Sequence, residues 1–95
     1  MKVNIHWPGM PVTAILRAHV EQQMGLALGR FGEGISGVTV RFSTREGESH
    51  CGISVALRVR EVHVEDAHLD PLRAVDHAAA RLSERVALAI DGGLS

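Results

Sequence analysis

Hydrophobic and polar residues alternate along three stretches of the chain and recur every three or four positions along two others. Strict alternation puts every second side chain on one side, which is the period of a strand buried on one face. Recurrence at intervals of three and four draws one apolar stripe along a helix. The longest alternating stretch is long enough for two strands. In chain order these periods predict a strand, a helix, three strands and a helix.

The first strand is predicted over Lys2–Trp7, and Trp7 continues its inward-facing side. Pro8–Pro11 then forms a loop, because both prolines fix φ and disfavour helix at the preceding residue. Thr13 can cap a helix that we expect to run to about Arg30 and to fray late. Its inward positions are Leu16, Val20, Met24, Ala27 and Phe31, with Ile15 and Leu28 beside them.

The alternating period returns at Ile35, and Thr44–Ser49 is predicted to be a hairpin connection. Two further strands follow, with a turn near Arg58–Glu61. That turn contains no Gly, Asn or Asp, so one long bent strand stays open as an alternative. The inward residues of these strands are Val38, Val40, Phe42, Ile53, Val55, Leu57, Val59, Val62 and Val64. The opposite face carries Asn4, His6, Thr39, Arg41, Ser54, Ala56, Arg58, His63 and Glu65, a set polar enough to face water.

The last helix has a start signal, a period and a stop signal. Asp70 is a good N-cap, and Pro71 suits the first helical position because its missing N–H would have no partner there. Gly92-Gly93 favours an end near Ile90 or Asp91. The apolar stripe between these signals is Leu72, Val75, Ala79, Leu82, Val86 and Ala89.

Together the elements predict an α+β fold of order βαβββα, in which both helices pack on one face of a four-stranded mixed sheet. The first two strands are expected to be parallel, because a helix joins them, and the hairpins make the other pairs antiparallel. At 95 residues the chain is expected to form one domain, residues 1–95.

Composition excludes several classes of protein. No apolar run approaches the roughly 18 residues that span a bilayer, so no membrane partner is expected. The N-terminus turns polar too soon for a signal peptide, and one cysteine cannot form an internal disulfide, so a cytoplasmic protein is expected. The net charge of −1 and pI near 6.6 are not those of a strongly basic nucleic-acid binder. Nucleic-acid binding would need a local basic patch.

The candidate chemical groups favour neither a metal site nor an active site. His63 and Glu65 share one strand face, but two ligands do not complete a metal site. His50 and Cys51 are adjacent in a strand, so their side chains point to opposite faces and cannot cooperate. No base, nucleophile and orienting group share a predicted face. We therefore expect no catalytic residues and no cofactor.

Four local patterns resemble those of a known family. They are Met1–Ile5, Val12–Arg17 at the start of the first helix, Glu61–His63 in the last strand, and Asp70–Asp76 followed by Arg81-Leu82. With these patterns the chain resembles the ribosome hibernation promoting factors, also called ribosome-associated inhibitor proteins. The resemblance implies a domain like those that bind double-stranded RNA. It also implies docking on the small ribosomal subunit near the decoding site, which blocks translation in non-growing cells, with no cofactor and no catalysis. Because the chain ends after the second helix, it resembles the short form of the family.

The resemblance implies ribosomal RNA as the partner and surface arginines as its phosphate contacts. The candidates are Arg17, Arg73, Arg81 and Arg85, with Lys2 and Arg30 as additions. We expect the two helices to bring these groups into one cradle for an anionic ligand. In the alternative, the arginines of the second helix only pair with its carboxylates, and Asp76 orients Arg73 three residues earlier.

A second function stays open because family members usually carry lysines along the first helix and at the end of the second. Here those stretches read Gln22–Leu26 and Ala87–Ile90. A diverged domain of this kind would have lost RNA binding and would act as a protein-interaction or self-associating module, including as a homodimer. A neutral surface with an apolar patch around Leu26 and Leu28 would indicate it.

Overall fold

The computed structural model describes residues 2–58 and 60–91, and its elements follow the predicted βαβββα order. They are β1 (Val3–His6), α1 (Ala14–Leu28), a 3₁₀ helix (Gly29–Gly34), β2 (Ile35–Arg45), β3 (Glu48–Leu57), β4 (Glu61–His68) and α2 (Pro71–Asp91). The α+β class predicted from the sequence is therefore confirmed.

The four strands form one mixed sheet in the order β1-β2-β3-β4. As predicted, β1 and β2 are parallel, with Val3 opposite Val38, and the other two pairs are antiparallel. β1 and β4 are the two edges of this sheet. Because successive side chains of a strand point to opposite faces, every second residue faces the helices, apart from an irregularity in β2 between Ile35 and Gly37.

The hydrophobic core lies between the sheet and the two helices. Its largest fully buried side chains are Phe42, Met24, Leu28, Ile53 and Leu82. The predicted inward positions of the strands and of α2 belong to this core or pack against it, except Val59, which lies outside the described residues. Trp7 stacks on Phe42 with 5.0 Å between ring centroids, which places it against the core as expected.

Both helix starts follow the sequence signals. The Thr13 hydroxyl accepts a hydrogen bond from the Leu16 N–H at 3.2 Å, and Asp70 Oδ1 accepts one from the Leu72 N–H at 2.9 Å. These side chains satisfy backbone donors that have no partner within a helix. The N-termini of the two helices lie at the same end of the sheet, where Thr13 and Leu72 line one depression.

The ends of several elements differ from the prediction. α1 ends at Leu28 rather than near Arg30, because the chain tightens into the 3₁₀ helix, in which Gly32 has a φ of +21°. Leu28 is fully buried rather than part of an exposed patch. β3 and β4 are two separate strands, and the Leu57 N–H donates to the Arg60 carbonyl at 2.8 Å across their turn. Met1 and the stop signal Gly92-Gly93 lie outside the described residues.

The β2–β3 hairpin is tighter than the predicted Thr44–Ser49 connection. Only Glu46 and Gly47 lie between the paired residues Arg45 and Glu48, and their φ values are +52° and +80°. Two central residues with positive φ are the mark of a type I′ turn, which suits the twist of the flanking strands. In the part of the chain that the structure describes, no helix is long and apolar enough to cross a membrane.

Candidate functional site

The exposed side of α2 carries three of the predicted RNA contacts, Arg73, Arg81 and Arg85. The buried residues of the same helix, among them Val75, Leu82 and Val86, fix the opposite stripe against the sheet. Within residues 2–58 and 60–91, no carboxylate oxygen lies within 4.0 Å of the guanidinium nitrogens of Arg73 or Arg85. Both side chains are therefore available to an outside anion.

Arg81 is held against the edge of the sheet. Its Nη1 donates to the backbone carbonyl of Glu65 at 2.6 Å and lies 3.8 Å from Oδ2 of Asp66. Arg85 follows Arg81 by one helical turn, so both lie on the side of α2 that faces β4. About half of the Arg81 side chain stays exposed, and it can bind an anion only while sharing its donors with β4.

Arg17 lies on the far flank of the helical layer. His19 and Gln23 of α1 face α2, and Arg17 precedes His19 by two residues, which is about 200° around a helix. The remaining candidates also lie apart. Lys2 precedes β1, and the Arg30 guanidinium stacks over the Phe31 ring at 4.7 Å from its centroid.

The structure thus does not bring the six basic residues into one cradle between the helices. Among the described residues, the groove between α1 and α2 is lined by Gln23, Leu26, Ala27, Asp76, Ala79, Ala80 and Ser83, none of which is an arginine. The physical reason is helical phase. The side of α2 that faces α1 bears small residues, whereas Arg81 and Arg85 project toward β4.

A hydrogen bond that sequence reasoning missed joins the two helices. His19 Nε2 donates to Asp76 Oδ1 at 2.6 Å, and the two side chains are 24% and 43% exposed. Asp76 therefore contacts α1 rather than orienting Arg73. The two residues are 57 positions apart in the sequence. Their contact depends on how far α1 is shifted along its axis relative to α2, which no local sequence pattern indicates.

The open face of the sheet carries a chain of hydrogen bonds. The Ser54 hydroxyl lies 2.9 Å from His63 Nδ1, and His63 Nε2 lies 3.2 Å from Glu65 Oε2. These three side chains already share the predicted open face, so the expectation that no nucleophile, base and orienting group share a face was wrong. The β3–β4 register brings them into contact, because it sets Ser54 directly opposite His63. The side chains of His63 and Glu65 are 49% and 62% exposed. Water therefore reaches these side chains, and their hydrogen bonds lack the enclosed environment that strengthens such bonds in an active site.

The remaining candidate groups are those considered for a metal site and for a cysteine nucleophile. Among the described residues no three His, Cys, Asp or Glu side chains are placed to hold a metal ion. Cys51 is buried, and burial, with a smaller effect from the Asp66 charge, raises the pKa of its thiol from 9.0 to about 12. A thiol that stays protonated is a poor nucleophile. His50 lines a depression on the open face of the sheet, whereas Cys51 is buried on the face that packs against the helices, so the two side chains lie on opposite faces.

Large apolar side chains are exposed on α1 and in the connection between β4 and α2. Ile15, Leu26 and Leu69 are 73%, 74% and 73% exposed. Ile15 lines an apolar depression of about 390 Å³ at the shared N-terminal end of the helices, together with Trp7, Met10 and Leu72. The predicted apolar patch is thus present at Leu26 but not at Leu28.

Comparison with known proteins assigns the family of this small domain. Residues 3–88 match the family described as Sigma 54 modulation protein / S30EA ribosomal protein. The chain belongs to this family, which confirms the resemblance to ribosome hibernation promoting factors. No curated protein sequence matches the chain.

Two solved structures share the fold. The Thermus thermophilus Protein Y N-terminal domain is 27% identical, with a TM-score of 0.75, over 90% of this chain and 91% of that one. A ribosomal subunit interface protein from Coxiella burnetii is 18% identical, with a TM-score of 0.81, over 92% of this chain and 94% of that one. At 18% identity the second likeness shows the fold alone.

Proposed function

We propose that this protein binds the small ribosomal subunit in the cytoplasm and modulates translation by occupying ribosomal RNA near the decoding site. The observation that carries the proposal is the family match over residues 3–88, nearly the whole chain. The Coxiella burnetii protein that shares the fold is itself named a ribosomal subunit interface protein. The action is steric, so neither a cofactor nor a catalytic group is required.

In this proposal α2 supplies phosphate contacts through Arg73, Arg81 and Arg85. Arginine is suited to this role because its planar fork can donate two parallel hydrogen bonds to one phosphate. Arg73 and Arg85 have no carboxylate within 4.0 Å in the described segments, which supports the assignment. Arg17, Lys2 and Arg30 lie on other parts of the surface and would reach separate RNA elements.

The test is co-sedimentation of the full chain with purified small ribosomal subunits at low and moderate salt. Arg73→Ala combined with Arg85→Ala is the sharpest variant, because neither side chain hydrogen-bonds to the described residues of the sheet, whereas Arg81→Ala also removes the hydrogen bond to Glu65. The matched control is Arg58→Ala combined with Arg60→Ala, which removes the same charge from the β3–β4 turn.

The proposal predicts sedimentation of the wild type at low salt. The α2 variant should bind less tightly, and its salt slope should fall by nearly one for each phosphate that it no longer neutralises. The Arg58 and Arg60 variant should bind as the wild type does. Absence of binding at low salt, or equal binding by the α2 variant, would remove the proposal.

The exposed apolar groups favour a second candidate, a protein-interaction or self-associating module. Leu26 borders the arginine-free groove between the helices, and Ile15 lines the apolar depression at their N-termini. Size-exclusion chromatography with light scattering tests this reading. A dimer in the wild type that Ile15→Ser or Leu26→Ser dissociates would support it, and a monomer at millimolar concentration would count against self-association.

A further inference from the structure

The open face of the sheet has a depression whose floor is the backbone of Gly52. The register sets Gly52 opposite Arg41 on β2 and opposite Glu65 on β4. Because Gly52 has no side chain, its neighbours lean over it, and a Cβ there would lie 3.3 Å from His63 Cε1. The resulting cavity is about 270 Å³, and Arg41, Arg45, His50 and His63 are among its walls.

Hydrogen-bond donors follow β2 along one edge of this depression. Arg41, Ser43 and Arg45 all have exposed side chains on the same face, and alternate residues of a strand are about 7 Å apart. His50 stands opposite Ser43 on β3. In the described ranges neither Arg41 nor Arg45 lies within 4.0 Å of a carboxylate oxygen. The donors therefore form a line rather than converging on one point.

Charged groups are distributed differently in this depression and in the helical layer. From Ala14 to Gly34 and from Pro71 to Asp91, five arginines stand with five carboxylates, and these are Arg17, Arg30, Arg73, Arg81 and Arg85 with Glu21, Glu33, Asp76, Glu84 and Asp91. The depression has two arginines and two histidines but only one carboxylate, Glu65. That carboxylate already accepts a hydrogen bond from His63. At the end of β2 Arg45 also has Glu46 and Glu48 as neighbours, whereas Arg41 lies in the part of the face where Glu65 is the nearest paired carboxylate.

We propose that Arg41 and Arg45 bind the phosphodiester backbone of an RNA strand lying along β2 on the open face of the sheet. The inference deepens the proposed function by assigning RNA contact to the sheet as well as to α2, and it rests on RNA being the ligand. A line of donors suits a chain of phosphates better than a single phosphate. Ser43 and Glu65 are placed to hydrogen-bond ribose hydroxyls, which distinguish RNA from DNA.

The mode of binding follows from which side chains the face contains. Base stacking needs exposed aromatic rings, and Trp7 and Phe42 instead stack on each other. Recognition therefore runs through phosphate and sugar and is insensitive to base sequence. The charged and hydrogen-bonding groups along the proposed path are His6 of β1, Arg41, Ser43 and Arg45 of β2, Glu48 and His50 of β3, and His63 and Glu65 of β4.

The experiment measures binding of a fluorescent ten-nucleotide oligouridylate to the full chain by anisotropy, from low to moderate salt. Arg41→Ala combined with Arg45→Ala should weaken binding at least fivefold and flatten the salt slope by more than one. Arg58→Ala combined with Arg60→Ala removes the same charge and should change binding less than twofold. Arg41→Lys combined with Arg45→Lys keeps the charge and should restore most of the binding. Circular dichroism confirms that each variant is folded.

Four results would overturn the inference. They are no binding of the wild type at low salt, equal weakening in the two alanine variants, binding unaffected by the Arg41 and Arg45 change, and competition by polyglutamate as effective as by RNA. The same variants are then sedimented with small ribosomal subunits. Oligonucleotide binding that depends on Arg41 and Arg45 without any ribosome sedimentation supports the sheet site and removes the proposed function. Sedimentation that depends only on Arg73 and Arg85 does the reverse.

Discussion

Replacing Glu46 by asparagine should stabilise the protein. Glu46 is the first central residue of the β2–β3 turn and has a φ of +52°, while Gly47 beside it has +80°. A left-handed conformation costs a residue with a Cβ roughly 1–2 kcal/mol, and asparagine tolerates it better because its short side chain can hydrogen-bond locally. Since Glu46 is exposed, the substitution removes no packing.

The expected gain is about 0.5–1 kcal/mol in the free energy of unfolding, because asparagine relieves only part of the strain. For a domain of this size that gain raises Tm by roughly 2–8 °C. Urea denaturation and thermal melts followed by circular dichroism measure both quantities. Gly47→Ala should act in the opposite direction, because a Cβ at a φ of +80° adds strain.

Glu46→Gln is the matched control for this prediction. It removes the same negative charge but has no preference for the left-handed region. Glu46→Asn must therefore be more stable than Glu46→Gln by most of the expected gain. If the two variants unfold at the same urea concentration, the effect is one of charge and the argument from backbone conformation is refuted.

Three further predictions concern groups inside the fold. His19→Ala and Asp76→Ala should show a coupling of about 0.5–1 kcal/mol in a double-mutant cycle, since the hydrogen bond is short but partly exposed; a coupling near zero would show that it adds no stability. Cys51 should resist a thiol reagent at pH 8 until the protein unfolds. Because folding raises the pKa of this thiol to about 12, its contribution to stability is complete below about pH 9 and is lost as the pH rises toward 12, a dependence that Cys51→Ala should lack. Phe42→Ala should cost about 3–5 kcal/mol and shift the fluorescence of Trp7, its stacking partner, to longer wavelength; unchanged fluorescence would contradict the stacked geometry.

The sequence predicted the architecture because its periods and caps are local signals. The Thr13 and Asp70 caps, the alternation in β2 to β4 and the stripe of α2 each need only a few neighbouring residues to be recognised. The hairpin was less clear, because Glu46 has no preference for the left-handed conformation that it adopts. In α1 the period continued past Leu28, but glycines tighten the chain there into a 3₁₀ helix.

The surface chemistry was harder to predict because it depends on distances between elements. Strand alternation placed Ser54, His63 and Glu65 on one face, but their contact needed the β3–β4 register, and the turn that sets it carries no recognisable signal. The bond between His19 and Asp76 needed the axial offset of two helices. Arg81 contacts β4 because it lies on the side of α2 that faces this strand. The apolar stripe of α2 shows which side is buried, but it does not show whether α1 or β4 lies next to Arg81.

The contact between Arg81 and the Glu65 carbonyl has a consequence for solubility. β4 is an edge strand of eight residues, and the unpaired backbone groups of such an edge can add a strand from another molecule and begin aggregation. The guanidinium occupies one of those carbonyls and holds a charge beside the edge. Arg81 thereby discourages pairing of this edge with a strand of another molecule, and its replacement should increase aggregation in concentrated solutions.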